Sequence, residues 1–180
     1  MDINSIKKYQ IIYADPPWSY KVWSENKKQA QGCAKRHYQT MSIEDICKLP
    51  IRQISDKDCK LFLWATPPCL PEAMLTMKSW GFEYKSNMVW TKLSGVGIGW
   101  FVDSRHELLL IGVKGQGLHP EWKPISWQQV EKTIHSKKPE LFYEIIERMY
   151  PKQKYIELFL RGKPRKGWQG WGNEMNSDNI

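Results

Sequence analysis

An α/β fold on a mostly parallel sheet, with helices against its faces, is predicted by three observations. Short apolar runs, several of them β-branched, recur at residues 11–14, 61–65, 86–91, 107–113 and 155–160. Segments with apolar residues at helical spacing fall between them. Two of the runs stop at paired prolines, Pro16-Pro17 and Pro67-Pro68, so their carboxyl ends open directly into loops. In such a sheet, ligands bind beyond the carboxyl ends of the strands.

The elements follow in order. Ile11-Ile12-Tyr13-Ala14 is a buried strand ended by Asp15-Pro16-Pro17-Trp18. From Trp18 to Thr40 no period is sustained, and the basic stretch 21–36 reads as a long surface loop. Ser42 followed by Asp45 resembles a capping box for a short helix that must end before Pro50. Leu61-Phe62-Leu63-Trp64-Ala65 is a second buried strand. Pro71 opens a helix with Ala73, Met74, Met77 and Trp80 facing the core and Gly81 as its stop. Strands follow at 86–91 and 107–113, separated by Gly95-Val96-Gly97-Ile98-Gly99-Trp100. That glycine spacing is not G-x-G-x-x-G and leads into no amphipathic helix, so it reads as a loop rather than a phosphate cradle. A helix from Pro139 carries Leu141, Phe142, Ile145, Ile146 and Met149 toward the core, and a last strand spans 155–160.

With 180 residues and no linker or internal repeat, residues 1–180 read as a single domain. No apolar run approaches a membrane span, and MDINSIKKYQ has no signal-peptide core, so a cytoplasmic protein is expected. Cys33, Cys47, Cys59 and Cys69 make no paired ligand spacing; reduced thiols and no metal are expected. Ten tryptophans and a formal charge of +8 point toward nucleic acid, through stacking faces and phosphate-seeking cations.

The chemistry gathers at Asp15-Pro16-Pro17-Trp18. Two prolines make the loop rigid and leave the carbonyls of Asp15 and Pro16 as acceptors, with the Trp18 ring beside them. One carboxylate, one aimed carbonyl and one aromatic plate suit a planar base that presents an exocyclic amine. Hydrogen bonds to both of its N–H groups favour the pyramidal nitrogen whose lone pair can attack a methyl sulfonium. Stacking of about 1–3 kcal/mol offsets the cost of unstacking the base.

This tetrapeptide after a short strand resembles the signature of the methyltransferase A-70 family. The resemblance extends through His37-Tyr38-Gln39-Thr40-Met41, Leu61-Phe62-Leu63-Trp64, Trp80-Gly81-Phe82, Val89-Trp90-Thr91-Lys92, His106-Glu107, Gly112-Val113-Lys114-Gly115, Lys137-Lys138-Pro139-Glu140, Ile156-Glu157-Leu158-Phe159 and the ending Gly167–Glu174. It implies a Rossmann-like fold with a circularly permuted motif order. It also implies S-adenosylmethionine-dependent methyl transfer to the N-6 amine of adenine in nucleic acid.

By that resemblance Asp15, Pro16, Pro17 and Trp18 form the catalytic loop. Asp15, Lys138, Glu157, Leu158, Arg161, Asn173 and Glu174 take the cofactor, and Trp18 and Tyr38 take the base. The basic residues Lys21, Lys27, Lys28, Lys35 and Arg36 border the same cleft, with Arg161, Lys163, Arg165 and Lys166 opposite. DNA is favoured over RNA because the short chain and its ending resemble bacterial and phage members, which places it in a bacterial or phage-infected cell. An RNA adenosine methyltransferase and a silent nucleic-acid-binding partner subunit are the alternatives. A homodimer is compatible with the family.

Overall fold

The computed structural model describes residues 7–19, 40–92, 101–131 and 138–172. The segments holding Lys21, Lys27, Lys28, Lys35, Arg36 and Tyr38, the Gly95–Trp100 loop, Asn173 and Glu174 lie outside them.

Seven strands make one sheet: β1 (Tyr9–Ala14), β2 (Ser55–Ala65), β3 (Glu83–Lys92), β4 (His106–Lys114), β5 (Trp127–Val130), β6 (Tyr155–Leu158) and β7 (Trp168–Trp171). Their spatial order is β5-β3-β4-β2-β1-β6-β7. Pairings β1–β2, β1–β6, β6–β7 and β3–β5 are parallel, whereas β4 runs antiparallel to both β2 and β3. The expected mostly parallel sheet is present, and the reversal at β4 brings its first residues to the carboxyl ends of the others.

Alternation along the central strands splits the core in two. Ile12, Ala14, Leu61, Leu63 and Leu158 pack beneath α1 (Ile43–Lys48), α2 (Ile51–Ile54) and α3 (Leu70–Ser79). Ile11, Tyr13, Phe62, Trp64 and Leu109 point the other way, against α4 (Glu140–Met149). Burial on both faces explains why these strands read as continuous apolar runs.

Local signals act as the sequence suggests. The Ser42 hydroxyl accepts the Asp45 N–H at 3.1 Å and caps α1. Gly81 follows α3 with φ +84°, a conformation an L side chain resists. On α3, Ala73, Met77 and Trp80 are buried as expected, but Met74 is turned outward; Thr76 takes the inward place and its hydroxyl lies 3.7 Å from Cys47 Sγ.

Tryptophan is mainly a core residue here. Trp64 and Trp80 are fully buried. Indole N–H groups donate from Trp80 to Ile46 O at 2.9 Å, from Trp90 to Val130 O at 3.0 Å and from Trp168 to Glu147 at 2.8 Å. These three rings thus satisfy their one donor while filling a large volume, whereas the buried Trp64 indole N–H finds no hydrogen-bond acceptor among the described residues. Arg165, expected among the cleft cations, is instead a staple: it pairs with Glu140 at 2.6 Å and Glu147 at 2.8 Å.

Candidate active site

Asp15 stands one residue beyond β1, at the carboxyl ends of the central parallel strands. Alternation puts its side chain on the α4 face, with Tyr13. The residue before the α4 cap Pro139 is Lys138, and its ammonium meets Asp15 Oδ1 at 3.0 Å. The same ammonium lies 2.9 Å from Glu107 Oε2, and Lys92 at the end of β3 holds Glu107 Oε1 at 2.5 Å. A row of alternating charge, Lys92–Glu107–Lys138–Asp15, therefore runs across the strand ends. It rests on aromatic faces, with Lys138 5.2 Å from the Trp64 ring and Lys92 5.1 Å from Trp90.

The carboxylates differ. Burial, aided by the like charge of Glu107, raises the Asp15 carboxyl above its ordinary range despite Lys138 and Arg161. Burial also opposes the charge of Glu107, but Lys138 and Lys92 together outweigh it and hold that carboxyl low. Burial likewise disfavours the Lys138 charge, and the two carboxylates more than reverse this. The most accessible carboxylate of the row, with a side chain 25% exposed, is therefore the one whose negative charge is least stabilised. A new hydrogen-bond donor at Asp15 would find an acceptor that is poorly satisfied.

The loop after Asp15 is tighter than expected. The Trp18 N–H donates to Pro16 O at 2.8 Å, closing a three-residue turn, so one lone pair of that carbonyl is already used. The Met41 N–H donates to Pro17 O at 3.1 Å. This turn carries Trp18 to the α1–α3 side, where it is 5% exposed and its indole N–H donates to Trp64 O at 3.0 Å. The expected open stacking plate is, in this arrangement, a buried anchor for the loop.

Among the expected cofactor residues, Glu157 is buried on β6 and accepts the Tyr143 hydroxyl at 2.9 Å. Burial first, and then Glu157, push the Tyr143 phenol well above its usual range, so it stays a donor. The Leu158 side chain is wholly in the core, leaving only its backbone at the strand end. Phe159, next along, has φ +62°, a strained turn where β6 leaves the sheet. Arg161 contributes positive charge toward Asp15.

Glu107 and Lys92 were the members of the charged row that sequence reasoning assigned no role. The available signal was a carboxylate at the head of a strand otherwise almost wholly apolar, which needs a counter-ion. Tyr143 was hidden on a helix whose other inward residues are aliphatic or Phe.

Comparison with known proteins bears directly on this strand-end site. The MT-A70 family model matches residues 9–174. The chain is 34% identical over 190 residues to the type II methyltransferase M.MunI of Mycoplasma sp, covering 97% of this chain and 81% of that protein. It is 27% identical over 196 residues to the human N(6)-adenosine-methyltransferase catalytic subunit METTL3, of which it spans 30%. The mouse N(6)-adenine-specific methyltransferase METTL4 is 29% identical over 193 residues, and 39% of that protein is covered. A match of this extent, with the aspartate at the end of a central strand, settles the assignment: the chain belongs to the MT-A70 family of adenine N-6 methyltransferases.

Proposed function

We propose that this protein transfers a methyl group from S-adenosylmethionine to the N-6 amine of adenine in DNA. The observation that carries the reading is Asp15, held by Lys138 at the end of β1 with part of its carboxylate open to a ligand. Asp15 accepts one N–H of the amine, and the remaining lone pair of the Pro16 carbonyl accepts the other. Nitrogen held in this way is drawn out of conjugation with the ring and its lone pair is freed. Asp15 need not act as a strong base, because the amine becomes acidic only as it is alkylated.

The donor set suits S-adenosylmethionine. Glu157 offers an acceptor to ribose hydroxyls, while Lys138 and Arg161 offer cations to a carboxylate. When bound, that group supplies an electrophilic methyl on sulfonium. Lys138 has a second duty, since its ammonium also fixes Asp15. On sequence grounds Asn173 and Glu174 join the cofactor side, and Tyr38 with Lys21, Lys27, Lys28, Lys35 and Arg36 the nucleic-acid side. Trp18 pins the catalytic loop from beneath and borders the acceptor pocket. The permuted order of motifs belongs to the same reading.

DNA is preferred because the chain is 34% identical to M.MunI, a type II methyltransferase, against 27% to METTL3. Among the described residues no helix is long and apolar enough to cross a membrane. The test is incubation with labelled donor and matched DNA and RNA oligonucleotides. Label in DNA alone is expected; label in RNA alone would reverse the choice of polymer.

A further inference from the structure

Glu157 is an acid set in an aromatic wall. Its neighbours Ile156 and Leu158 enter the core beneath α1 and α3, so alternation along β6 turns Glu157, like Tyr155, toward α4. In register it stands between Tyr13 of β1 and Gly170 of β7. The rings of Tyr13, Tyr143, Tyr155 and Trp168 belong to the same face of the core. A carboxylate only 9% exposed on such a face needs directed donors.

One such donor is Tyr143, whose hydroxyl meets Glu157 Oε1 at 2.9 Å. Its ring is held from several sides. The Tyr13 ring centre lies 4.7 Å away, Trp168 packs edge-on at 5.4 Å, and the Arg165 guanidinium lies 5.8 Å from the ring centre. Arg165 is in turn fixed by Glu140 and Glu147, about one helical turn to either side of Tyr143 on α4. The phenol is thereby aimed at Glu157, and burial together with that carboxylate keeps it protonated as a donor. Tyr13 offers a contrast. It is buried in the same wall and pairs in register with Glu157, yet its hydroxyl has no hydrogen-bond partner among the described residues.

We infer that Tyr143 is a positioning residue for cofactor recognition: its hydroxyl sets the rotation of the Glu157 carboxylate before the donor's ribose arrives. The inference rests on the reading of Glu157 as the ribose acceptor. The last torsion of a glutamate is broad, so an unheld carboxylate must be ordered at the moment of binding. A hydrogen bond made in advance removes that cost. Contacts of this kind tune a ligand-holding group without touching the ligand. Tyr143 acts through Glu157 and not at Asp15, so its effect belongs to donor binding rather than to methyl transfer.

The experiment measures calorimetric binding of S-adenosylhomocysteine to the whole chain, with Tm read on every protein. Wild type is compared with Tyr143→Phe, Tyr13→Phe, Glu157→Ala and the Tyr143→Phe/Glu157→Ala double variant. Tyr143→Phe is expected to weaken binding roughly ten-fold, and in turnover the loss falls in KM for the donor and not in kcat. Tyr13→Phe deletes a phenol hydroxyl from the same wall and is expected to leave the affinity unchanged. Once Glu157 is alanine there is no carboxylate to orient, so Tyr143→Phe should then add little. Wild-type affinity in Tyr143→Phe, full additivity in the double variant, or an equal loss from Tyr13→Phe would each overturn the inference. The last of these would mean that loosening the aromatic wall, and not the bond to Glu157, weakens binding. If instead Glu157→Ala binds as tightly as wild type, the ribose reading of Glu157 itself fails and the inference falls with it.

Discussion

Asp15 separates catalysis from stability at the level of a single carboxylate. Its folded pKa is raised, so any stability linked to its protonation is full at low pH and lost as pH rises through the folded value. At neutral pH its charge therefore works against the fold, and Asp15→Asn should leave the Tm unchanged or higher. Lys138 keeps Glu107 as partner in that variant. Methyl transfer should nevertheless fall about 100-fold or more, the usual loss when an oriented electrostatic contact is removed. Equal loss of Tm and activity would return Asp15 to a structural role.

Glu107 gives the opposite sign. Its folded pKa is lowered, so its contribution is present above the ordinary glutamate range and disappears as pH falls through the folded value. Glu107→Gln should flatten the acid side of the Tm profile. It also removes a like charge from Asp15, so the acid limb of the pH–rate profile should move to lower pH. An unmoved limb would show that Asp15 does not titrate in that limb.

At the scale of elements, legibility followed the strength of local chemistry. The α1 start was visible because Ser42 and Asp45 meet through hydrogen bonds that need no tertiary context. Ser42→Ala should cost about 1 kcal/mol in chemical denaturation. The stop of α3 was visible in Gly81 for the same reason. Strands β5 and β7 were not legible: Trp127–Val130 and Trp168–Trp171 are four residues each, too short for a period to establish itself. They exist because a neighbouring strand supplies their ladder. The Gly in β7 reads as a turn in sequence, yet a Cβ on Gly170 would sit 2.3 Å from Leu160 Cδ2. That packing demand is invisible without the fold. Likewise Glu107 could be seen as a costly acid, but the reversal of β4 that delivers it to Lys138 could not.

For the whole molecule, the abundant tryptophans and the positive charge came apart once the chain folded. The Trp64 ring packs edge-on against Phe142 at 4.8 Å and Trp90 at 6.0 Å, tying α4 and β3 to the sheet centre. Trp64→Ala should cost about 3–5 kcal/mol, read from urea unfolding, with loss of the Lys138 seat as well. Trp18, the one ring expected to stack on a base, proved to be part of the same structural economy. The charge did concentrate, but through pairing: Lys92, Lys138 and Arg165 are spent on carboxylates.

The central claim is that a carboxylate at the end of β1 orients an adenine amine for methylation. Its most direct test is nucleoside analysis of a DNA oligonucleotide after a single turnover with labelled S-adenosylmethionine, comparing wild type with Asp15→Asn at equal Tm. Label on N-6 of deoxyadenosine for wild type and near background for Asp15→Asn is the expected result. Label on another base, or equal label from both proteins, would contradict it.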